Sequence, residues 1–282
     1  MKKNLFFTGM PALALAFGLV LTGCPSDSGG GNDDPVPVNL SLPRIEDVAD
    51  FTGVFVSSET EAQGLVETAF EEIGGILDTT SLQNNAYSVS RSMSRAVYSE
   101  PYEEIYDHDT MVLQGAEVTG FVQGKDTMSA ADDDNPGETV GDYMETSLRI
   151  KLAIDFDNVT QHNSIIKGKY TVDENMYYKA RLTSINPPKG DLTISYDVLD
   201  GYAVSISKNG RGLKFVMTLD GKINRRTIEI DDVESFGLEN IGNLFNTYKL
   251  TLDIYNNANE KQEQYSKTFT SYAEAAAYLG IN

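Results

Sequence analysis

The 282-residue chain has no tryptophan, one cysteine, Cys24, and two histidines. A single thiol excludes an intramolecular disulfide, so the fold must be held by packing. The missing indole removes the usual stacking platform of a sugar-cleaving site. His108 lies in Asp107-His108-Asp109 and His162 in Gln161-His162-Asn163. Neither belongs to a metal-binding pair at helical spacing, and both read as loop histidines. Basic residues are also few: 22 Lys and Arg stand against 42 Asp and Glu, a net charge of −20. Such a chain repels phosphate backbones and anionic bilayer surfaces, which excludes nucleic acid as a partner. There is no Gly-x-Ser-x-Gly elbow and no glycine-rich loop placed to cradle phosphate. No catalytic residue can be nominated, no cofactor is expected, and an enzyme is not the expected reading.

The start of the chain is informative. Lys2 and Lys3 precede an apolar run from Leu5 to Leu21, and small residues follow at Thr22 and Gly23. That order reads as a secretory signal, and the run is short for a membrane span, which needs about 20 apolar residues. Leu21-Thr22-Gly23-Cys24 resembles the lipobox of bacterial lipoprotein precursors. The resemblance covers only the leader. It implies cleavage between Gly23 and Cys24, a diacylglyceryl group on the Cys24 sulfur, and acyl chains of the palmitate kind as the membrane anchor. Several chains at one residue exceed the marginal grip of one, since each buried methylene contributes ~0.8 kcal/mol. Pro25 follows the cysteine, and the expected location is the cell envelope, at the outer membrane rather than the inner one.

The expected organisation is a signal peptide over 1–23 and an acidic Gly/Ser/Pro tether over 24–40. A helical and irregular segment then spans 41–110, and a β meander with a terminal helix spans 111–282. Residues 41–282 read as one domain. Ser58 and Glu61 form a capping box ahead of Ala62, Leu65, Val66, Ala69, Phe70 and Ile73 at helical spacing, with Gly74-Gly75 as the expected stop. Ser271 and Glu274 repeat the device, and Gly280 supplies its stop. Residues 84–109 read as irregular or as a sheet edge.

From Met111 onward the period is two. Leu148 to Phe156, Met176 to Leu182, Leu192 to Val198, Tyr202 to Ile206, Leu213 to Leu219 and Tyr248 to Ile254 each alternate apolar with polar residues. Asp200-Gly201, Asn209-Gly210 and Asp220-Gly221 read as hairpin turns between them. The expected fold is mainly β (α+β): an antiparallel meander of nine or ten strands, curved or barrel-like, with a helix near each end. The polar faces carry Arg149, Lys151, Lys167, Lys169, Lys179, Arg181, Lys214, Arg225 and Arg226, read as cross-strand charge pairing and edge protection.

Nine strands of about eight residues would offer roughly 1,100 Å² per face. A helix of about 16 residues covers roughly 240 Å². Two helices cannot hide the apolar face, so the sheet must curl, double over or keep a greasy groove. The last option nominates Ile150, Ile154, Tyr178, Tyr196 and Phe215 as the lining of an apolar ligand site. Residues 233–245, VESFGLENIGNLF, would add Phe236 and Ile241 as a lid, or else form a plug or a short helix. Asp132, Asp134 and Glu138 form a weak calcium candidate, although Pro136-Gly137 already explains that stretch as a solvated turn. The expected function is a membrane-anchored envelope lipoprotein with a non-catalytic binding or interaction role, carrying an apolar molecule or docking an envelope protein. A structural coat is the alternative, and a hydrolase with an unidentified carboxylate site comes third.

Overall fold

The computed structural model describes residues 40–77, 98–106, 112–113, 116–129, 139–161, 163–232, 236 and 238–280. Ten strands form one sheet: β1 (Val54–Phe55), β2 (Tyr98–Tyr106), β3 (Val112–Leu113), β4 (Ala116–Ser129), β5 (Tyr143–Gln161), β6 (Ser164–Ile185), β7 (Pro188–Lys208), β8 (Arg211–Ile230), β9 (Thr247–Tyr255) and β10 (Lys267–Phe269). The spatial order is β10-β9-β8-β7-β6-β5-β4-β2, antiparallel throughout; β3 pairs with β4, and β1 runs parallel to the start of β8. The helices are α1 (Glu59–Leu77), α2 (Leu238–Gly242) and α3 (Tyr272–Leu279). The sheet curves but does not close into a barrel, its outermost strands being β2 and β10.

The strand count matches expectation for a different reason. Four strands, β5 to β8, run for 19, 22, 21 and 20 residues. At ~3.3 Å per residue each spans on the order of 65–70 Å. Two of the three expected turns are absent. Only Asn209-Gly210 turns the chain, with φ of 52° and 77°, between Lys208 and its partner Arg211. Asp200-Gly201 and Asp220-Gly221 lie inside β7 and β8. Their glycines answer to crowding instead. A Cβ on Gly201 would meet Pro43 Cδ at 2.8 Å and Leu42 Cδ2 at 2.9 Å, and one on Gly221 would meet Phe245 Cε1 at 2.8 Å. Glycine in a strand marks close approach as readily as a bend.

The serine cap forms at both helices, and at α1 the glutamate of the expected box bonds elsewhere. Ser271 Oγ accepts from Glu274 N at 3.4 Å, and Gly280 closes α3 at φ 69° with its N–H on Ala276 O. At α1, Ser58 Oγ accepts from Glu61 N at 3.2 Å, while the Glu61 carboxylate reaches past the cap to Ser57 N at 2.7 Å. The Gly74-Gly75 pair does not end α1, which continues to Leu77. Neither glycine adopts positive φ, the conformation by which glycine stops a helix. Of residues 84–109, the part that is described becomes β2, an edge strand paired with β4 and containing Pro101.

On the concave face, α1 lies against β7 and β8, with Phe70 at 5.1 Å from the Tyr202 ring and 6.2 Å from Phe215. The 3-10 turn at Ile45–Asp47 and its flanking residues cross the convex face instead. There Lys214, only 1% exposed, gives its Nζ to Asp50 Oδ1 at 2.8 Å and Asn257 O at 3.1 Å. The rest of the convex face is a lattice of register partners of opposite sign: Lys151 with Asp173, Lys169 with Asp155, Lys179 with Glu145 and Lys222 with Asp197, at 2.7 to 3.4 Å. Arg225 stacks over the Tyr177 ring at 4.0 Å. Charge pairing across strands accounts for these cations, as the alternation implies. Lys214 is one exception, since the N-terminal segment covers it; Arg226 is another, because the bulge in β8 sets it opposite Ile194 on the apolar face, where its buried Nε has no hydrogen-bond partner among the described residues.

Candidate functional site

The seven apolar candidates come together in one hydrophobic core. Ile150, Ile154, Tyr178, Tyr196, Phe215 and Ile241 are buried in one continuous core, and Phe236 packs against it. The described part of the 233–245 connection contains the short helix α2 and packs onto the sheet's apolar face. Ile241 and Leu244 are buried, and Phe245 lies edge-on to Tyr196 at 6.0 Å and Tyr248 at 5.3 Å. A pocket of about 170 Å³ lies elsewhere, on the convex face, between Leu40, Ser41, Pro43 and Asp47 on one side and Ala153, Asp155, Lys169 and Thr171 on the other. Of the seven candidates only Ile154 reaches it. Pockets for drug-sized ligands begin at ~300 Å³.

The most unusual chemistry is a buried polar cluster that none of the motifs above predicts. Glu174 on β6 and Asp200 on β7 are 4% and 0% exposed, on the concave face. Each is hydrogen-bonded to the other, and Tyr196 donates its hydroxyl to Glu174. Asp200 Oδ1 accepts from Asp173 N at 3.3 Å and Oδ2 from Tyr170 OH at 3.4 Å. Tyr170 and Tyr202, partners across the strands, stack with ring centroids 3.9 Å apart and planes at 9°. The ladder itself is interrupted here. Thr171 pairs with Gly201 and Glu174 with Val198, and between those pairs the Asp200 carboxylate takes the Asp173 amide.

Burial disfavours the charged form of each group. It raises the Glu174 carboxyl to about 7, against the hydrogen bonds from Tyr196 and Asp200 that pull the other way. The Asp200 carboxyl goes up as well, through burial and then through the neighbouring Glu174 charge. Burial also raises the hydroxyls of Tyr170, Tyr196 and Tyr202, so all three stay protonated donors. Two carboxyls in contact, without a cation, hold a proton near neutrality. A signal for them existed in the sequence: Glu174 is in phase with Val172 and Met176, and Asp200 with Val198 and Tyr202, so both acids occupy the apolar parity of their strands.

Cys24 and Gly23, the calcium candidate Asp132, Asp134 and Glu138, and both histidines fall outside the described residues. Among the described residues no three His, Cys, Asp or Glu side chains converge as metal ligands, and no helix is long and apolar enough to cross a membrane. Comparison with protein-family models, curated proteins and solved structures gave no match.

Proposed function

We propose that this chain is a lipid-anchored protein of the bacterial cell envelope with a non-catalytic docking role. The anchor reading rests on the Leu21-Thr22-Gly23-Cys24 leader and the tether that follows it. Docking is favoured over carriage by one observation: six of the seven inward candidates are buried in one continuous hydrophobic core, and Phe236 packs against it. The pocket that Ile154 touches holds about 170 Å³, below the ~300 Å³ at which pockets for drug-sized ligands begin. The partner is an envelope protein, and the membrane is engaged through lipid on Cys24.

The test has two arms. Cys24→Ala is expected to move the protein from the detergent phase to the aqueous phase in detergent partitioning, and unchanged partitioning overturns the anchor. Native mass spectrometry of that released protein is expected to return the bare polypeptide mass. A copurifying apolar molecule would restore the carrier reading.

A further inference from the structure

The back of the carboxyl pair is where the N-terminal segment sits. Gly201 follows Asp200 directly and faces the convex side, where Pro43 Cδ and Leu42 Cδ2 occupy the space a Cβ would fill. Its partner Thr171 is 92% buried beside that segment, and its hydroxyl meets no hydrogen-bond partner. One strand's thickness therefore separates the pair from the seat of residues 42–43, at the point where the ladder is interrupted. We propose that Glu174 and Asp200 form a proton-dependent latch: with a proton held between them the β6–β7 ladder stays closed and Leu42–Pro43 stay seated behind it. With both ionised, the ladder parts around Asp173 and Leu199, and the segment lifts.

The surroundings offer hydrogen-bond donors to the two carboxyls but no countercharge among the described residues. β5 places Ile150 opposite Glu174, and β8 places Leu219 opposite Asp200. From α1 comes Phe70, against Tyr202, and the same helix carries the buried acid Glu72. The titratable groups that do face the pair are Tyr170, Tyr196 and Tyr202, all neutral donors. Among the described residues no Lys or Arg faces it. Ionisation sends the proton to bulk water and leaves like charges in a dry site, where repulsion is weakly screened. Water is reached most directly by opening the gap already present in the ladder. The latch concerns the fold alone and does not depend on lipidation at residue 24.

Hydrogen exchange on the full-length chain in mild detergent tests this, with rates corrected for their intrinsic pH dependence. Between about pH 6 and about pH 8.5, peptides covering residues 40–48 and 198–203 are expected to lose protection about tenfold or more, while those covering α3 and β9 keep theirs. Glu174→Gln, which cannot ionise, is expected to hold both peptides protected across the range. Asp200→Asn serves the same purpose if the first variant folds poorly. Protection that is independent of pH, or lost equally in the variants, or lost everywhere together, overturns the latch.

Discussion

Replacing Glu174 by Gln changes the pH at which the protein is most stable, and the sign follows from burial. The carboxyl ionises near 4.5 in the unfolded chain and at about 7 in the folded one. The folded state therefore binds more protons between those values, so stability is fully present below about pH 4.5 and is lost as pH rises through about 7. At ~1.4 kcal/mol per pH unit the loss is about 3 kcal/mol, on the order of 6–12 °C in Tm for a domain of this size. Asp200 shifts in the same direction and adds to it. Glu61 and Glu145 act with opposite sign, since their carboxyls are lowered: for Glu61 mainly by the Ser57 amide, and for Glu145, against its burial, by Lys179 and Tyr177. Their contribution disappears only in acid, below the ordinary carboxylate range. Urea unfolding of both proteins from about pH 4.5 to about pH 8 separates these effects. The two should match at the acid end, and the variant should be the more stable by about 3 kcal/mol at the alkaline end. Parallel curves would refute the argument that Glu174 is buried as an acid.

Three further outcomes are expected from denaturant or thermal unfolding. Gly201→Ala forces a methyl group against Pro43 and Leu42 and should cost about 1–3 kcal/mol, whereas Gly64→Ala in α1 meets nothing within 4 Å and should gain about 0.5–1 kcal/mol. Equal effects at the two sites would refute the close approach of the N-terminal segment to β7. Lys214→Ala removes a buried ammonium from Asp50 and Asn257 O and should cost about 2–4 kcal/mol, with Lys214→Met recovering much of it through packing. Asp197→Asn breaks a pair whose side chains are 51% and 58% exposed, so its cost should stay below about 1 kcal/mol and vanish in high salt.

Much of the fold was legible because alternation is a direct imprint of the pleat. Leu148 to Phe156 and Leu213 to Leu219 reveal a one-faced sheet without any knowledge of partners. The Asp-Gly pairs misled because the same dipeptide serves two purposes. Asn209-Gly210 turns the chain, while at Asp200-Gly201 the acid is needed inside and the bare backbone outside. Parity distinguishes the cases: the apolar phase continues from Val198 through Asp200 to Tyr202, as it would not across a two-residue turn. Closure was not readable, since it depends on whether β2 meets β10, and alternation says nothing of that. The carboxyl pair was half legible. Each acid breaks its strand's pattern, but their mutual contact depends on the β6–β7 register, which follows from the unpredicted turn between Ile185 and Pro188.

The route of the N-terminal segment sets how the domain bears load. The chain enters over the middle of the sheet's back, at Leu42 and Pro43, rather than at a strand end. A pull from that side first strips a few van der Waals contacts, then meets the Lys214–Asp50 ion pair, then the two-residue ladder of β1, and only afterwards α1. The long hairpins are shielded behind this series of graded fasteners, so tension applied through the N-terminal segment is absorbed by peeling a strip and not by shearing the sheet.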